Sequence, residues 1–121
     1  MGPANGGRVK VIYVAGPYRA KTEWGLEENL RHAEDAALRL WQEGWCVLCP
    51  HKNTAHFGGV CSDDVWIAGT LELLSRCDAI YMLDDWEKST GAKGELELAK
   101  RLGLDVYYEA HREKLCAEKT S

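Results

Sequence analysis

The sequence predicts a single α/β domain whose parallel sheet of four to five strands is flanked by helices. Short apolar runs alternate along the chain with longer segments of helical spacing. The 121 residues are enough for one hydrophobic core but not for two. We expect residues 1–8 to form a flexible, Gly-rich N-terminal tail and residues 9–121 to form the domain.

The first half of the domain begins with a strand and a long helix. Residues 9–15 are apolar and β-branched apart from Lys10, and they stop at Gly16, which predicts a buried strand. Gly16 would let the backbone turn tightly and approach a ligand. Residues 23–43 place apolar side chains three and four positions apart, so we expect an amphipathic helix that stops at Gly44.

Three more strands and a second helix follow. Residues 45–49 predict a second strand, and a polar loop over 51–62 separates it from a helix over 63–76. A loop of this length in so small a domain is more often functional than idle. The apolar run at 79–83 predicts the third strand, and residues 106–108 predict the fourth. The remaining charged segment, from 109 onward, predicts a short helix that frays.

A polar turn and a helix over 88–102 follow the third strand. This geometry leaves unpaired backbone N–H groups at the helix start, where an anion can bind. We expect Glu95 in the first turn of that helix, where the dipole favours an acidic side chain and keeps it ionised. Such a carboxylate could act as a nucleophile or a base. It is also ordinary helix chemistry, and the sequence leaves both interpretations open.

A phosphate site is one possibility at the carboxyl edge of the sheet, where ligands bind in open α/β folds. Arg19 and Lys21 follow the first strand, and Ser89 and the N–H group of Gly91 follow the third. Together they could hold one phosphate through charge-assisted hydrogen bonds. The two cations could equally be solvated loop charges.

Composition excludes several classes of function. The formal charge of −4 disfavours a partner that is a nucleic-acid polymer. No apolar run approaches the roughly 20 residues that span a bilayer, so we expect no membrane association. Five cysteines, an odd number, without an export signal predict reduced thiols and a cytoplasmic location.

We expect neither a cofactor nor a metal. The sequence lacks both G-x-G-x-x-G and the P-loop motif. A zinc site is suggested by Cys46, Cys49, His51, His56 and Cys61. Strand residues three apart face opposite sides of a sheet, however, so Cys46 and Cys49 are poor joint ligands. His51 is instead predicted to lie in a loop, either near a ligand or at the surface.

Aromatic residues offer weaker signals. Tyr13 could point toward the site from the first strand, although a strand tyrosine is usually part of a core. Tyr18 and Trp86 lie on the presumed binding edge and could stack on a flat base. His51, Asn53, Asp84 and Trp86 are further candidates for contact with a sugar or base.

Several short motifs in this order resemble the nucleoside 2-deoxyribosyltransferase-like superfamily, and within it the small DUF4406 group. The resemblance spans roughly residues 9–108. It is carried by IYVAGP at 12–17, Pro-His at 50–51, RCDA at 76–79, and S-x-G-x-x-x-E at 89–95 followed by Ala99. It implies a Rossmann/flavodoxin-like fold and cleavage of an N-glycosidic bond.

The resemblance also implies roles for individual residues. Glu95 matches the superfamily's nucleophilic glutamate, and Tyr13 matches the tyrosine that hydrogen-bonds and orients it. Ser89 stands where base-exchanging transferases carry an aspartate and where nucleoside 5′-monophosphate N-glycosidases carry a phosphate-contacting serine. Arg19 matches the phosphate-binding arginine of those glycosidases. An aspartate beside a phosphate would be repelled, which favours a monophosphate substrate.

One position departs from the family pattern. Thr70 stands near the place of an aspartate that holds the sugar and assists the leaving base, and threonine cannot shuttle protons at neutral pH. The family also completes its site from a neighbouring subunit, so the resemblance implies a homodimer or a larger homo-oligomer.

The sequence therefore predicts an N-glycosidase that hydrolyses a (deoxy)nucleoside 5′-monophosphate through a glutamate nucleophile. Two alternatives stay open. One is a base-exchanging nucleoside 2-deoxyribosyltransferase, which Ser89 disfavours. The other is a catalytically silent nucleotide-binding or sequestering protein of the same fold, which Thr70 favours.

Overall fold

The structure is a computed structural model that describes residues 8–53 and 59–111, without the side chain of Asn53. Four strands and four helices lie in the described part, in the order β1 (Val11–Ala15), α1 (Glu23–Gln42), β2 (Cys46–Leu48), α2 (Pro50–Asn53), α3 (Asp63–Ser75), β3 (Ala79–Met82), α4 (Thr90–Arg101) and β4 (Asp105–Tyr108). A 3₁₀ turn, Trp86–Lys88, precedes α4.

All four strands run parallel in one sheet with the order β2-β1-β3-β4. The chain first adds β2 on one side of β1 and then crosses to add β3 on the other side. The strand order therefore reverses at β1, and the carboxyl ends of β1 and β3 flank the crevice where such sheets bind ligands. The single α/β domain with a four-stranded parallel sheet confirms the predicted fold class.

Successive side chains of the central strands point to opposite faces of the sheet, so a hydrophobic core forms on each face. Ile12 and Val14 of β1 face α1, where they pack against Ala33 and Leu40. Tyr13, Ala15 and the alternate residues of β3 face α3 and α4. That second core includes Leu74 of α3 and Ala92, Leu96 and Ala99 of α4. Any side chain on the Tyr13 face is thereby directed toward α3 and α4.

Gly16 lies in close contact with Leu83, the residue that follows the neighbouring strand β3. A Cβ atom built on Gly16 would lie 2.7 Å from the Cβ atom of Leu83. The backbone N–H of Leu83 donates to the carbonyl of Ala15 at 2.8 Å. A side chain at position 16 would therefore push the carboxyl ends of β1 and β3 apart.

Most predicted elements agree with the structure to within two residues, except in the polar segment that follows β2. The predicted loop over 51–62 begins with the one-turn helix α2, while residues 54–58 lie outside the described part. His51 was expected in a loop but lies on this helix and is only 6% exposed. The surface interpretation of His51 is therefore wrong.

At both ends of the described part, side chains are held by contacts with the rest of the domain. Arg8, in the predicted tail of residues 1–8, places its Nη2 atom 2.6 Å from Oδ1 of Asp78. Glu109, at the start of the predicted fraying helix, is only 2% exposed. Residues 1–7 and 112–121 lie outside the described part. None of the described helices is long and apolar enough to cross a membrane.

Candidate active site

A hydrogen bond between Tyr13 and Glu95 forms the centre of the candidate site. The Tyr13 hydroxyl, on β1, donates to Oε2 of Glu95, on α4. Tyr13 is fully buried, and the Glu95 side chain is half-buried. The contact that the family resemblance implies for these two residues is therefore present, although they lie 82 positions apart in the sequence.

Glu95 lies deeper in its helix than the sequence suggested. Helix α4 begins at Thr90, with Ser89 as its N-cap, so Glu95 is the sixth helical residue and lies in the second turn. The first turn contains no acidic residue. The prediction of a first-turn glutamate is wrong, because the N-cap at Ser89 comes earlier in the chain than a first-turn Glu95 requires. The helix dipole is also weaker at this position than in the first turn.

Burial makes Glu95 a weaker acid than expected. Loss of solvent raises the pKa of Glu95 from its ordinary value of 4.5 to about 7, although the hydrogen bond from Tyr13 acts in the opposite direction. Burial, followed by the nearby carboxylate, raises the pKa of Tyr13, so its phenol keeps its proton. The raised pKa runs against the expectation that the Glu95 carboxyl stays ionised at neutral pH.

Thr70 adds a third oxygen to this pair. Its hydroxyl donates to the carbonyl of Ile67, one turn back in α3, at 3.1 Å. The Thr70 side chain also lies close enough to the Tyr13 hydroxyl to lower the pKa of the phenol. The position at which the resemblance implies an aspartate thus carries a neutral hydroxyl near Tyr13.

Ser89 caps the helix that carries Glu95. Its Oγ atom accepts a hydrogen bond from the backbone N–H of Ala92 at 3.1 Å. The Ser89 hydroxyl hydrogen is not used in that bond and can be donated to a ligand. Gly91 lies in the first turn and is exposed. Its backbone N–H is one of the first four of the helix, which have no acceptor within the helix.

Arg19 is exposed and forms an ion pair at the mouth of the β1–α1 loop. Its Nη2 atom lies 2.7 Å from Oδ1 of Asp63, the first residue of α3. Side chains this exposed form ion pairs of small net energy. Arg19 is therefore tied to α3 and not to the start of α4, although a ligand phosphate could compete for the guanidinium.

His51 holds the loop that carries Arg19. Its Nε2 atom lies 2.9 Å from the carbonyl of Pro17, and its ring packs edge-on against Tyr18 with centroids 5.5 Å apart. Burial lowers the pKa of His51, so the imidazole is neutral near pH 7. The structure thus gives His51 a loop-supporting position. The Asn53 side chain, the neighbouring candidate, lies outside the described part.

The Trp86 ring packs against other side chains and is not fully free to stack on a ligand base. Its ring lies against Tyr108 with centroids 6.0 Å apart, and it covers the edge of the core on the Tyr13 face. It stays half-buried at the start of the 3₁₀ turn. The structure therefore places Trp86 on the same face of the sheet as Glu95.

Asp84 belongs to a different cluster, on the α1 side of the sheet. Its backbone N–H donates to Oε1 of Glu109 at 2.9 Å. The same oxygen lies 2.8 Å from Nε2 of His32, and Oε2 accepts from Arg39 at 3.0 Å. The Asp84 side chain lines a surface hollow with these α1 residues. The structure thus separates Asp84 from the Glu95 face.

Neither Glu109 nor His32 stands out in the sequence pattern. The one available signal was the position of Glu109, an acid directly after a strand, at the edge of the sheet where polar groups gather. The buried carboxylate joins the end of β3 to α1 and fixes the turn that leads to α4. Glu109 therefore supports the site without facing it.

A family model matches most of the chain. It is described as "Domain of unknown function (DUF4406)", and it covers residues 10–108. The chain belongs to the DUF4406 family. The matched range contains Tyr13, Thr70, Glu95 and every described residue of the candidate site. No curated protein matches the chain.

Two of the surface hollows formed by the described residues of this DUF4406 protein lie near α1. One lies between α1 and β2, and the other is the hollow beside Glu109. Neither is lined by Tyr13 or Glu95. Among the described residues, no group of three His, Cys, Asp or Glu side chains could hold a metal ion.

The raised pKa of Glu95 predicts a specific pH dependence of stability. A carboxyl group whose pKa is higher in the folded state contributes most to stability below its unfolded value of 4.5, and this contribution is lost as pH rises through 7. In the Glu95→Gln variant, this loss should disappear. The unfolding free energy of Glu95→Gln minus that of the wild type should therefore rise by about 2–3 kcal/mol between about pH 5 and pH 8.

Urea unfolding at several pH values measures this difference. The matched control is Glu97→Gln, which removes an exposed carboxylate from the same helix. Its stability relative to the wild type should stay nearly constant over the same range. A flat difference for Glu95→Gln would show that the carboxyl group is solvated in the folded protein.

Proposed function

We propose that this DUF4406 protein is an N-glycosidase that hydrolyses a (deoxy)nucleoside 5′-monophosphate, with Glu95 as nucleophile. The observation that supports this most directly is the Glu95 carboxylate held by a buried phenol beside the carboxyl ends of β1 and β3. A carboxylate with one oxygen fixed and the other available is suited to attack on an anomeric carbon.

The geometry supports distinct roles for the two carboxylate oxygens. Tyr13 holds Oε2, and among the described residues Oε1 accepts no hydrogen bond. In the proposed reaction Oε1 forms a bond to C1′ while the C1′–N bond breaks, and the electron pair leaves with the base. Water then hydrolyses the resulting ester, releasing the sugar 5-phosphate and restoring the carboxylate.

Departure of the base also requires a proton. The family's aspartate position is occupied by Thr70, and none of the titratable groups that influence the pKa of Glu95 or Tyr13 is an additional carboxyl. We therefore propose that the proton reaches the base from solvent. A base that leaves readily without strong acid catalysis would be favoured as substrate.

The proposed phosphate site uses the start of α4 and the β1–α1 loop. The Ser89 hydroxyl hydrogen and the free N–H groups of the first turn of α4 can bind two or more phosphate oxygens. Arg19 would join them after exchanging Asp63 for the phosphate, which is the more highly charged partner. Gly16 and Trp86 flank the same crevice and would contact the sugar or the base.

A panel of ribo- and deoxyribonucleoside 5′-monophosphates tests the proposal, with free base assayed by chromatography. At least one should be hydrolysed by the wild type. Glu95→Gln should lower the rate roughly a thousandfold or more, because it removes the nucleophile. Tyr13→Phe should lower it roughly 10- to 100-fold, the value of a hydrogen bond to a charged group. Glu97→Gln should retain the wild-type rate.

The same assay separates the alternatives. A base-exchanging transferase would form a new nucleoside when a second base is supplied, whereas a hydrolase would not. Binding of nucleotides without release of any base would favour the silent nucleotide-binding protein. That alternative has a specific observation behind it, because burial raises the pKa of Glu95 to about 7, which disfavours the ionised nucleophile at neutral pH.

We further propose that the protein acts as a homodimer or higher homo-oligomer. Helix α3 is apolar on several sides, yet of its residues only Leu74 is buried within one copy. Val65 and Ile67 are each 53% exposed. A second copy would cover these side chains. It would also complete a pocket beside Glu95, because neither of the surface hollows near α1 is lined by Glu95.

A charge on this helix should dissociate the assembly. We expect the wild type to sediment as a dimer or larger species and the Ile67→Lys variant to sediment as a monomer, because an ammonium group cannot be buried unpaired. Analytical ultracentrifugation measures both. Leu38→Lys places the same charge on an exposed leucine of α1 and should leave the assembly intact. A monomeric wild type would contradict the oligomer.

A further inference from the structure

Gly91 is a helical glycine with open space where a side chain would be. It is the second residue of α4, and it is exposed. A Cβ atom built on Gly91 would have Oγ of Ser89 as its nearest contact, at the ordinary distance of 3.9 Å. Glycine is less favourable than alanine in a helix because it loses more backbone freedom on folding. Packing among the described residues therefore does not explain why position 91 is a glycine.

The open space lies on the flank of α4 that carries Glu95. Gly91 and Glu95 are four residues apart, so they lie one turn from each other and about 40° apart around the helix. Side chains at this spacing are neighbours, with Cβ atoms roughly 5–6 Å apart. Because helical side chains lean toward the helix start, the Glu95 side chain leans toward position 91, and a side chain at 91 would lean toward Ser89. A side chain at position 91 would therefore fill the surface between the Ser89 hydroxyl and the Glu95 carboxyl group.

The proposed substrate has to cross this surface. The inference rests on the proposed function for one point, which is that phosphate binds at the start of α4 while C1′ lies at Glu95. In a nucleoside 5′-phosphate the furanose ring separates these two groups by a length similar to one helical turn, about 5.4 Å. The ring must then lie along α4 between Ser89 and Glu95.

We propose that Gly91 is a specificity-determining residue, whose missing side chain lets the furanose ring of a sugar 5-phosphate lie directly against α4. A methyl group at position 91 would occupy the space of the ring. The phosphate could then no longer reach the helix start while C1′ lies at Glu95. Glycine at this position thus selects ligands that place a phosphate and an anomeric carbon on the same flank of the helix.

Inorganic phosphate should not depend on the side chain at position 91. It needs only the Ser89 hydroxyl and the free N–H groups of the first turn, and alanine at position 91 keeps its backbone N–H. A sugar 5-phosphate needs the same groups and also the open surface beside them. Gly91→Ala should therefore separate the binding of these two ligands.

Gly94 provides a matched control in the same helix. It is exposed, and a Cβ atom built on it would meet no atom within 4 Å among the described residues. Gly94 lies about 100° from Glu95 around the helix, so a methyl group there would stay outside the flank that Gly91 and Glu95 share. Gly94→Ala thus makes the same chemical change away from the proposed path of the ring.

The test is an NMR titration that follows the backbone amide of Ala92 and needs no turnover. The ligands are inorganic phosphate and whichever of ribose 5-phosphate and 2-deoxyribose 5-phosphate the wild type binds more tightly. Gly91→Ala should raise the Kd of the sugar phosphate about tenfold or more, because an inserted methyl group overpacks a filled site. The Kd of inorganic phosphate should change less than about twofold. Gly94→Ala should leave both values unchanged.

Thermal unfolding shows whether the two variants keep the fold. Gly94→Ala should raise the melting temperature by about 2–5 °C, because alanine favours the helix. Gly91→Ala should not lower it, since the space at position 91 is open. A lower melting temperature for Gly91→Ala would show that the space is filled in the folded protein, and it would overturn the inference.

Three further results would overturn it. An unchanged Kd of the sugar phosphate in Gly91→Ala would show that the ring lies elsewhere. Equal weakening of both ligands would show that the methyl group acts on the phosphate alone. A wild type that binds neither ligand would remove the basis of the inference. If the wild type binds the sugar phosphate but releases no base from any nucleotide, the proposed function fails, while the titrations still decide the role of Gly91.

Discussion

The hydrogen bond between a buried phenol and a desolvated carboxyl group is the interaction on which the candidate site depends. It joins the central strand β1 to helix α4 across the core of one sheet face. Burial provides Glu95 with a rigid position and also weakens it as an acid, since the pKa rises to about 7. The same desolvation that increases the reactivity of a carboxylate therefore limits how much of it is ionised.

The sheet topology explains why these two residues meet. β1 and β3 are central neighbours, and the helix after β3 packs on the face toward which Tyr13 points. The close contact of Gly16 with Leu83 keeps the two strand ends together. On the opposite face, buried Glu109 ties the turn after β3 to α1 through His32 and Arg39. The start of α4 is thereby held from both sides of the sheet.

Much of this fold could be predicted from the sequence because apolar runs and helical spacing record burial directly. The strands of the two cores and the long helix α1 follow from that pattern. The Tyr13–Glu95 contact did not follow from periodicity, and it entered only through the resemblance to a known superfamily. Membership of the DUF4406 family supports the coarser part of that resemblance.

One error is local and concerns the position of a helix cap, while the others originate in tertiary packing. The second-turn position of Glu95 depends on where Ser89 caps the helix, and its raised pKa depends on neighbours distant in sequence. His51 looked like a loop residue because nothing local indicates that Pro17 and Tyr18 fold over it. Arg19 pairs with Asp63 across two loops, a contact that no spacing rule contains.

A crystal structure of the Glu95→Gln variant with a bound nucleoside 5′-monophosphate is the most direct test that Glu95 faces a reacting sugar. We expect C1′ about 3–3.5 Å from the side chain at position 95, with the phosphate at the start of α4 beside Ser89. A nucleotide bound instead in the hollow lined by His32 and Arg39, or elsewhere away from Tyr13, would contradict the assignment of Glu95 as nucleophile.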